Sequence, residues 1–265
     1  MSDRTPQRRR RLHIVGCHRS GTTLLMELMW HCFAFGGRTQ HEVSLFEPIP
    51  AGDGIYLTKK PPDTAWIEPV FREDDELFVI AMQRDPRAVI TSIHASEPDN
   101  YFRSFHVWQS YDAAIARLAD HPRFLVLRFE DLLRDPGSQQ RLVQERFGFL
   151  ERTGAFADYP DGFDINWGAD ESLNGVRPFD TARIDGWRAH LPRIKSQMAQ
   201  YPELRTAVTR LGYEPDDGWL ADLNSVTPHV QTYKEARPGW FRRLDTARRY
   251  RRKVARYRND RGLHR

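Results

Sequence analysis

Leu12-His13-Ile14-Val15-Gly16-Cys17-His18-Arg19-Ser20-Gly21-Thr22-Thr23 is the stretch on which the fold turns. Its first four residues are too few and too apolar for an exposed helix and predict a buried strand. Gly16 and Gly21 then stand at the spacing of a nucleotide-triphosphate loop, in which glycines let backbone N–H groups converge on phosphate oxygens. The helical pattern over 21–30 points its positive dipole end at the same anion. Where the triphosphate loop has lysine after its second glycine, this chain has Thr22, and the positive side chain lies inside the loop as Arg19. The missing lysine normally reaches the outer phosphates of a magnesium-bound triphosphate. A donor less charged than ATP suits such a loop.

Further apolar runs follow at Ile55–Thr58, Leu77–Met82 and Phe124–Leu127. Helical patterns separate them at Gly21–Trp30, Thr64–Phe71, Pro86–Ala95, Ser104–Ala119 and Ser138–Phe149. The alternation predicts an α/β chain with a central parallel sheet covered by helices. His41–Phe46 reads as a short strand or a loop. Residues 151–180, rich in Gly, Asp, Asn and Pro, read as irregular, and helical patterns return at Thr181–His190 and Arg193–Leu211.

A second anion site is expected within Phe78-Val79-Ile80-Ala81-Met82-Gln83-Arg84-Asp85-Pro86-Arg87. Arg84 closes a predicted strand, Asp85 suits a helix N-cap and Pro86 the first helical position. Ser92 falls about two turns into that predicted helix, on its flank. Ligands of parallel sheets bind beyond the carboxyl ends of the strands, so Arg84 and the Arg19 loop should face one cleft. The strand ends in Gln83-Arg84, not in the aspartate that would hold a metal, so no metal is expected. Two separated anion sites suggest a nucleotide with phosphate at both ends.

Composition bounds the rest. The 265 residues are 40% hydrophobic and 29% charged, which excludes disordered, collagen-like and integral membrane classes. Apolar runs are far shorter than the roughly 20 residues of a spanning helix, and no signal-peptide stretch follows Arg8 to Arg11. Cys17 and Cys32, the two cysteines, imply no disulfide framework and a reducing, cytoplasmic setting. The net charge of +4 is segregated: residues 1–11 hold five arginines and one aspartate, and 234–265 hold thirteen Lys/Arg against three acids, on an acidic middle. The expected division is a basic arm (1–11), a main domain (12–215) and a basic amphipathic extension (216–265).

In that extension Trp240, Leu244, Ala247, Tyr250, Val254 and Tyr257 form one helical stripe flanked by arginines. It suits packing on the domain or on a second subunit. It also suits peripheral contact, over 238–258, with an anionic membrane at its inner face. The tail's aromatics follow helical and not stacking spacing, so no specific nucleic-acid partner is expected.

The two anion segments together resemble the sulfotransferase family that uses 3′-phosphoadenosine-5′-phosphosulfate. Arg19-Ser20-Gly21-Thr22-Thr23 is similar to its 5′-phosphosulfate loop, and Arg84-Asp85-Pro86-Arg87 followed by Ser92 to its 3′-phosphate motif. Lys60-Pro61-Pro62, Arg128-Phe129-Glu130-Asp131-Leu132-Leu133-Arg134-Asp135-Pro136 and Leu211-Gly212-Tyr213 agree, over roughly 12–215. The resemblance implies a three-layer P-loop fold and sulfuryl transfer to an acceptor hydroxyl, with the donor as co-substrate and no metal. It is closest to the carbohydrate and bacterial branch.

By the same resemblance Arg19, Ser20, Gly21, Thr22 and Thr23 bind the 5′-phosphosulfate, with Arg19 steadying the bridging oxygen, and Arg84 and Ser92 hold the 3′-phosphate. Arginine keeps its proton at working pH, so Arg19 acts electrostatically. Asp185-Gly186-Trp187-Arg188 departs from the family's Gly-Arg-Trp-Arg order and leaves Arg188 as the donor contact. Lys60 corresponds to a lysine that contacts the sulfuryl group, with Lys59 one register away.

A base must take the acceptor's proton. Glu42 and Glu47 are the candidates, with His41 behind them; Glu130 and Asp131 read as capping and structural. The glutamates tilt the acceptor towards a carbohydrate or glycolipid small molecule, recognised by loops 36–54, 97–103 and 151–180. The alternatives are a P-loop kinase or NTPase acting on a small molecule, and a non-catalytic polyanion- or membrane-binding protein.

Overall fold

A computed structural model of the chain describes residues 8–40, 42–94, 97–161, 178–228 and 240–263. The apolar runs are strands β1 (Arg11–Gly16), β3 (Tyr56–Lys59), β4 (Leu77–Gln83) and β7 (Phe124–Arg128), joined by a two-residue strand β2 (Gly37–Arg38). They form one parallel sheet in the order β2-β3-β1-β4-β7, with Leu12 opposite Leu57 on one side and Phe78 on the other. From β1 the chain runs to β3 on one flank and then crosses to β4 on the opposite flank. That reversal opens a crevice at the carboxyl end of β1.

Strand alternation builds the layers. Leu12, Ile14, Ile80, Met82, Leu125 and Leu127 pack with α1 (Thr22–Cys32), α5 (Phe129–Arg134) and α6 (Pro136–Arg146). Val15, Leu77, Val79, Ala81 and Phe124 pack on the opposite face with α2 (Glu68–Glu73), the end of α4 (Phe105–Ala116) and α9 (Trp240–Asp260). A third cluster joins α3 (Pro86–Ile90), α7 (Leu191–Gln200) and α8 (Glu203–Arg210) around Trp187 and Trp219. The predicted three-layer α/β fold is the observed one. Cys17 and Cys32 are buried free thiols.

Several elements differ from the expectation. The helix opened by Asp85 ends at Ile90, so Ser92 lies beyond it and not two turns inside. Thr91 turns its hydroxyl onto the Arg87 carbonyl (2.7 Å), and the Ser92 carbonyl accepts from Phe102 N–H (3.0 Å). The chain then enters a hairpin of β5 (Ile93–His94) and β6 (Glu97–Tyr101). The helical pattern over 193–211 breaks at Tyr201-Pro202, because the residue before proline is pushed to extended backbone (φ −139°, ψ 81°). Residues 42–46 are a loop, anchored where Asp63 accepts from Leu45 N–H and Ser44 hydroxyl. His41, residues 162–177 of the irregular segment, residues 1–7 of the arm and 229–239 of the extension lie outside the described residues.

Four arginines of the basic ends find counter-charges on the domain itself. The acidic run Glu73-Asp74-Asp75-Glu76, between α2 and β4, receives both. Arg8 pairs with Asp75 and Arg10 with Glu76 (3.0 Å), while Arg258 pairs with Glu73 (2.6 Å) and Arg261 with Asp74 (2.7 Å). The described part of the tail stripe is spent on the same surface. Val254 and Tyr257 are buried, Tyr250 stacks on Trp66 at 4.6 Å, and Tyr257 donates to Asp74 at 2.6 Å. Trp219 and Leu223 enter the third cluster, so both described parts of the extension contribute side chains to the cores. No described helix is long and apolar enough to cross a membrane.

Candidate active site

At the carboxyl end of β1 the chain turns through the phosphate loop. Gly16 (φ +142°) lies so close to Met82 that a Cβ would sit 2.5 Å from its carbonyl oxygen. Gly21 (φ +93°) leaves room for the Phe129 ring, whose Cδ2 a Cβ would meet at 2.4 Å. Between them Arg19 holds φ +68°, alone among described non-glycine residues in the left-handed region. Such a conformation costs about 1–2 kcal/mol and persists because the side chain is tied down. Arg19 Nε donates to Ser92 Oγ at 2.9 Å, and Arg84 Nη1 donates to the Arg19 carbonyl at 2.7 Å. Helix α1 then begins with no acidic residue in its first turn. Its opening N–H groups have no intrahelical acceptor.

The loop forms the floor of a cavity of about 370 Å³ lined by Arg19, Gly21, Thr22, Thr23, Glu42, Arg84 and Ser92 among others. The structure thus brings together most of the residues expected from sequence. Ser20 is the exception within the loop: it is fully buried, and its hydroxyl and N–H both turn onto the Cys17 carbonyl (2.6 and 3.1 Å). It shapes the turn from beneath.

Cations crowd this cavity. Burial and the neighbouring Arg183 pull Arg19 below the ordinary arginine range. Burial brings Arg84 down to about 10, with Glu130 opposing and Arg19 reinforcing the change. Both remain protonated at neutral pH. Among the described residues no carboxylate lies within ion-pair distance of either, and the buried Arg84 Nε–H has no hydrogen-bond partner. Its guanidinium rests 4.4 Å from the Phe129 ring centroid. Phe129, Leu133, Tyr159 and Phe179 make an apolar wall beside these cations. A planar base flanked by two anions fits this set, since each anion would relieve cation crowding and the base would cover the apolar wall.

The cation absent after Gly21 is supplied from β3. Lys59, buried at 7% exposure, donates through Nζ to Thr23 Oγ1 at 2.8 Å, at the start of α1. It also pairs with Glu42 at 3.4 Å, while the more exposed Lys60 pairs with the same carboxylate at 3.2 Å. Sequence reading set Lys60 ahead; the buried lysine at the loop is Lys59.

Besides Ser20 and Lys60, two further expected residues do not line the cavity. Glu47 lies in a separate small cavity with Arg11, Tyr257 and Arg261, 3.6 Å from Arg256 of α9. The buried Arg11 guanidinium fixes it there by donating to the carbonyls of Ser44, Leu45 and Glu47. Arg188 points away, onto Asp222 at 2.5 Å, with its guanidinium 4.4 Å from the Trp187 ring. Arg183, from the short turn Thr181–Arg183, lines the cavity instead. It falls in the helical pattern read over Thr181–His190, whose spacing carries no sign of an anion site.

The outer shell holds these groups in place. Asp85 caps α3 through Arg87 N–H (2.7 Å), and Arg87 binds Asp85 and Glu214, both at 2.6 Å, while stacking on Trp187 at 3.9 Å. Glu130 accepts from Asp85 N–H at 3.0 Å, a structural role in agreement with its reading from sequence.

The fold is that of an α/β phosphate-loop protein with a parallel sheet. No protein-family model matches the chain, and no curated protein matches it in sequence. Among solved structures it is similar to the sulfotransferase domain from the curacin biosynthetic pathway, at TM-score 0.51 and 15% identity, covering 78% of this chain and 98% of that one. The sulfotransferase domain from the Synechococcus PCC 7002 olefin synthase aligns at TM-score 0.48 and 15% identity, over 69% of this chain and 90% of that one. Mouse sulfotransferase SULT7A1 complexed with PAP aligns at TM-score 0.40 and 13% identity, over 76% and 85%. At these identities the likeness is one of fold.

Proposed function

We propose that the chain is a sulfotransferase that takes its sulfuryl group from 3′-phosphoadenosine-5′-phosphosulfate and delivers it to an acceptor hydroxyl. The observation that carries this reading is the Arg19–Ser92–Arg84 cluster, in which two guanidiniums, neither ion-paired to a carboxylate among the described residues, and a hydroxyl meet at the crevice beside β1. Arg84 and Ser92 would hold the 3′-phosphate. The loop, Thr22, Thr23 and Lys59 would hold the 5′-phosphosulfate. The donor brings an activated sulfuryl group on a bridging oxygen.

In this reading Arg19 stabilises negative charge on that oxygen as the S–O bond breaks in line with the incoming hydroxyl. Glu42 accepts the hydroxyl proton, supported by its place in the cavity wall and its pairing with Lys59 and Lys60. A glutamate base, with no histidine following Lys60 in Pro61-Pro62-Asp63, favours a carbohydrate or glycolipid acceptor. The donor set argues for a reaction without metal: Thr22 replaces the loop lysine and Gln83-Arg84 replaces a metal-binding aspartate. The same residues weigh against a P-loop kinase. A protein whose whole activity is polyanion or membrane binding is weighed against by the tail's stripe, since Tyr250, Val254 and Tyr257 pack on the domain and Arg258 and Arg261 pair with Glu73 and Asp74.

Calorimetric titration tests this reading. Adenosine 3′,5′-bisphosphate should bind without metal and raise the melting temperature, and magnesium-ATP should not. Uptake of magnesium-ATP with indifference to the bisphosphate would reject it.

A further inference from the structure

The basic tail has a face that neither the fold nor the proposed transfer uses. α9 lays Tyr250, Val254 and Tyr257 on the domain, beside Phe46 and Trp66. At about 100° per residue, Arg248 and Arg252 stand opposite that stripe, one turn apart, and Arg251 and Lys253 fall on its two flanks. All four side chains are exposed. The acids of the helix are already taken: Asp245 pairs with Arg249 at 2.7 Å and Asp260 with Arg256 at 3.5 Å. Among the described residues no carboxylate is ion-paired to Arg248, Arg251, Arg252 or Lys253. Like charges at helical spacing repel one another, so this set weakens the free helix.

Packing also decides how such a face could meet a partner. A basic amphipathic helix ordinarily enters a membrane interface by its apolar side. Here that side is held by the domain, where Tyr257 is buried and donates to Asp74 at 2.6 Å. What α9 turns outward is charge, along a straight element of about 30 Å. A row of cations on one plane complements a plane of anionic headgroups, to which each basic residue near the surface adds attraction. Single-stranded nucleic acid fits less well, because its binding surfaces add aromatic rings for stacking and Tyr250 and Tyr257 are turned to the domain.

We propose that the outer face of α9, through Arg248, Arg251, Arg252 and Lys253, docks the protein on an anionic phospholipid bilayer by charge alone, without insertion of the helix. The proposal goes beyond the sulfotransferase reading and does not depend on it.

Co-sedimentation of the full chain with mixed phosphatidylcholine–phosphatidylglycerol vesicles tests it. Wild type should bind these vesicles, ignore phosphatidylcholine alone, and be released as salt shortens the Debye length from about 10 Å at 0.1 M to about 3 Å at 1 M. The variant R248Q/R251Q/R252Q/K253Q should bind the anionic vesicles about 10²–10³-fold more weakly, at roughly fivefold for each lost charge. Its melting temperature and its uptake of adenosine 3′,5′-bisphosphate should match those of wild type, since these side chains hold no contact in the fold. A wild type that ignores anionic vesicles, or binds phosphatidylcholine equally well, overturns the proposal. So does a fourfold variant that binds like wild type, and binding that survives high salt would mean insertion and reject the docking mode. A single-stranded RNA held more tightly than the vesicles, and lost in the variant, would assign the face to nucleic acid and reject the membrane. Bisphosphate titration is read separately, so the sulfotransferase reading stands or falls on its own result.

Discussion

Arg19 Nε and Ser92 Oγ are 2.9 Å apart, a hydrogen bond that joins the phosphate loop to a residue 73 positions later. It makes one unit of the two segments proposed to bind anions, because Arg84 also grips the Arg19 carbonyl. Removing the Arg19 side chain should therefore cost function far more than stability. Arg19→Ala is expected to lower turnover about 10²–10³-fold, the usual effect of deleting one charge-stabilising donor. Ser92→Ala should weaken donor binding about 2–10-fold, as for one ordinary hydrogen bond. Single-turnover sulfuryl transfer and thermal melting check both, and wild-type rates with Arg19→Ala would remove the electrostatic role.

Gly21 cannot carry a side chain without moving Phe129, since a Cβ would approach its ring to 2.4 Å at a φ of +93°. Gly21→Ala should cost about 2–5 kcal/mol, combining overpacking with left-handed strain. The melting temperature should fall by roughly 5–15 °C, with loss of nucleotide uptake. An unchanged melting curve would mean that the loop yields.

The two glutamates should separate cleanly. Glu42→Gln is expected to lower kcat about 10²–10⁴-fold with donor affinity little changed, as for loss of a general base. Glu47→Gln should leave kcat near wild type, because that side chain lies beside Arg256 of α9. Steady-state kinetics on both variants decides, and a reversed order would move the base to Glu47.

Docking of α9 should depend on acid pH through Asp74. Burial pushes this carboxyl up, but Arg261 and the Tyr257 hydroxyl outweigh it and hold the group below its ordinary value of 3.8. The folded state therefore favours the carboxylate. Its contribution is complete above the unfolded value and is lost as pH falls from about 3.8 towards the lower folded value. Asp74→Asn should reproduce the loss at neutral pH, at about 3–5 kcal/mol for a broken buried pair. Hydrogen exchange along α9 provides the measurement, and protection equal to wild type in Asp74→Asn would contradict it.

Much of this architecture could be read from the chain, for local reasons. β1, β3, β4 and β7 are short apolar runs, and Asp85-Pro86 is a helix start whose capping bond forms as expected. The break at Tyr201-Pro202 was passed over in the single helical pattern read for 193–211, although Pro202 stands inside it. Ser92 was placed on a helix because nothing in 86–95 announces the hairpin partner at 97–101, and pairing at a distance decided that segment. Glu42 and Glu47 are alike in sequence and are told apart by Arg11, which draws the backbone of 44–47 away from the cavity. Lys59 and Lys60 differ only in which one the strand buries. Arg183 stands inside the helical pattern Thr181–His190, but nothing in that pattern relates it to the loop at 16–23.

Arg261 reaches the backbone of Arg9, donating to its carbonyl at 2.8 Å across a separation of 252 residues. Phe46, Trp66 and Phe71 therefore stay without this covering until residues 250–257 have left the ribosome. A chain that lacked α9 would keep its crevice residues but leave an oily flank bare, a natural target for chaperones and proteases.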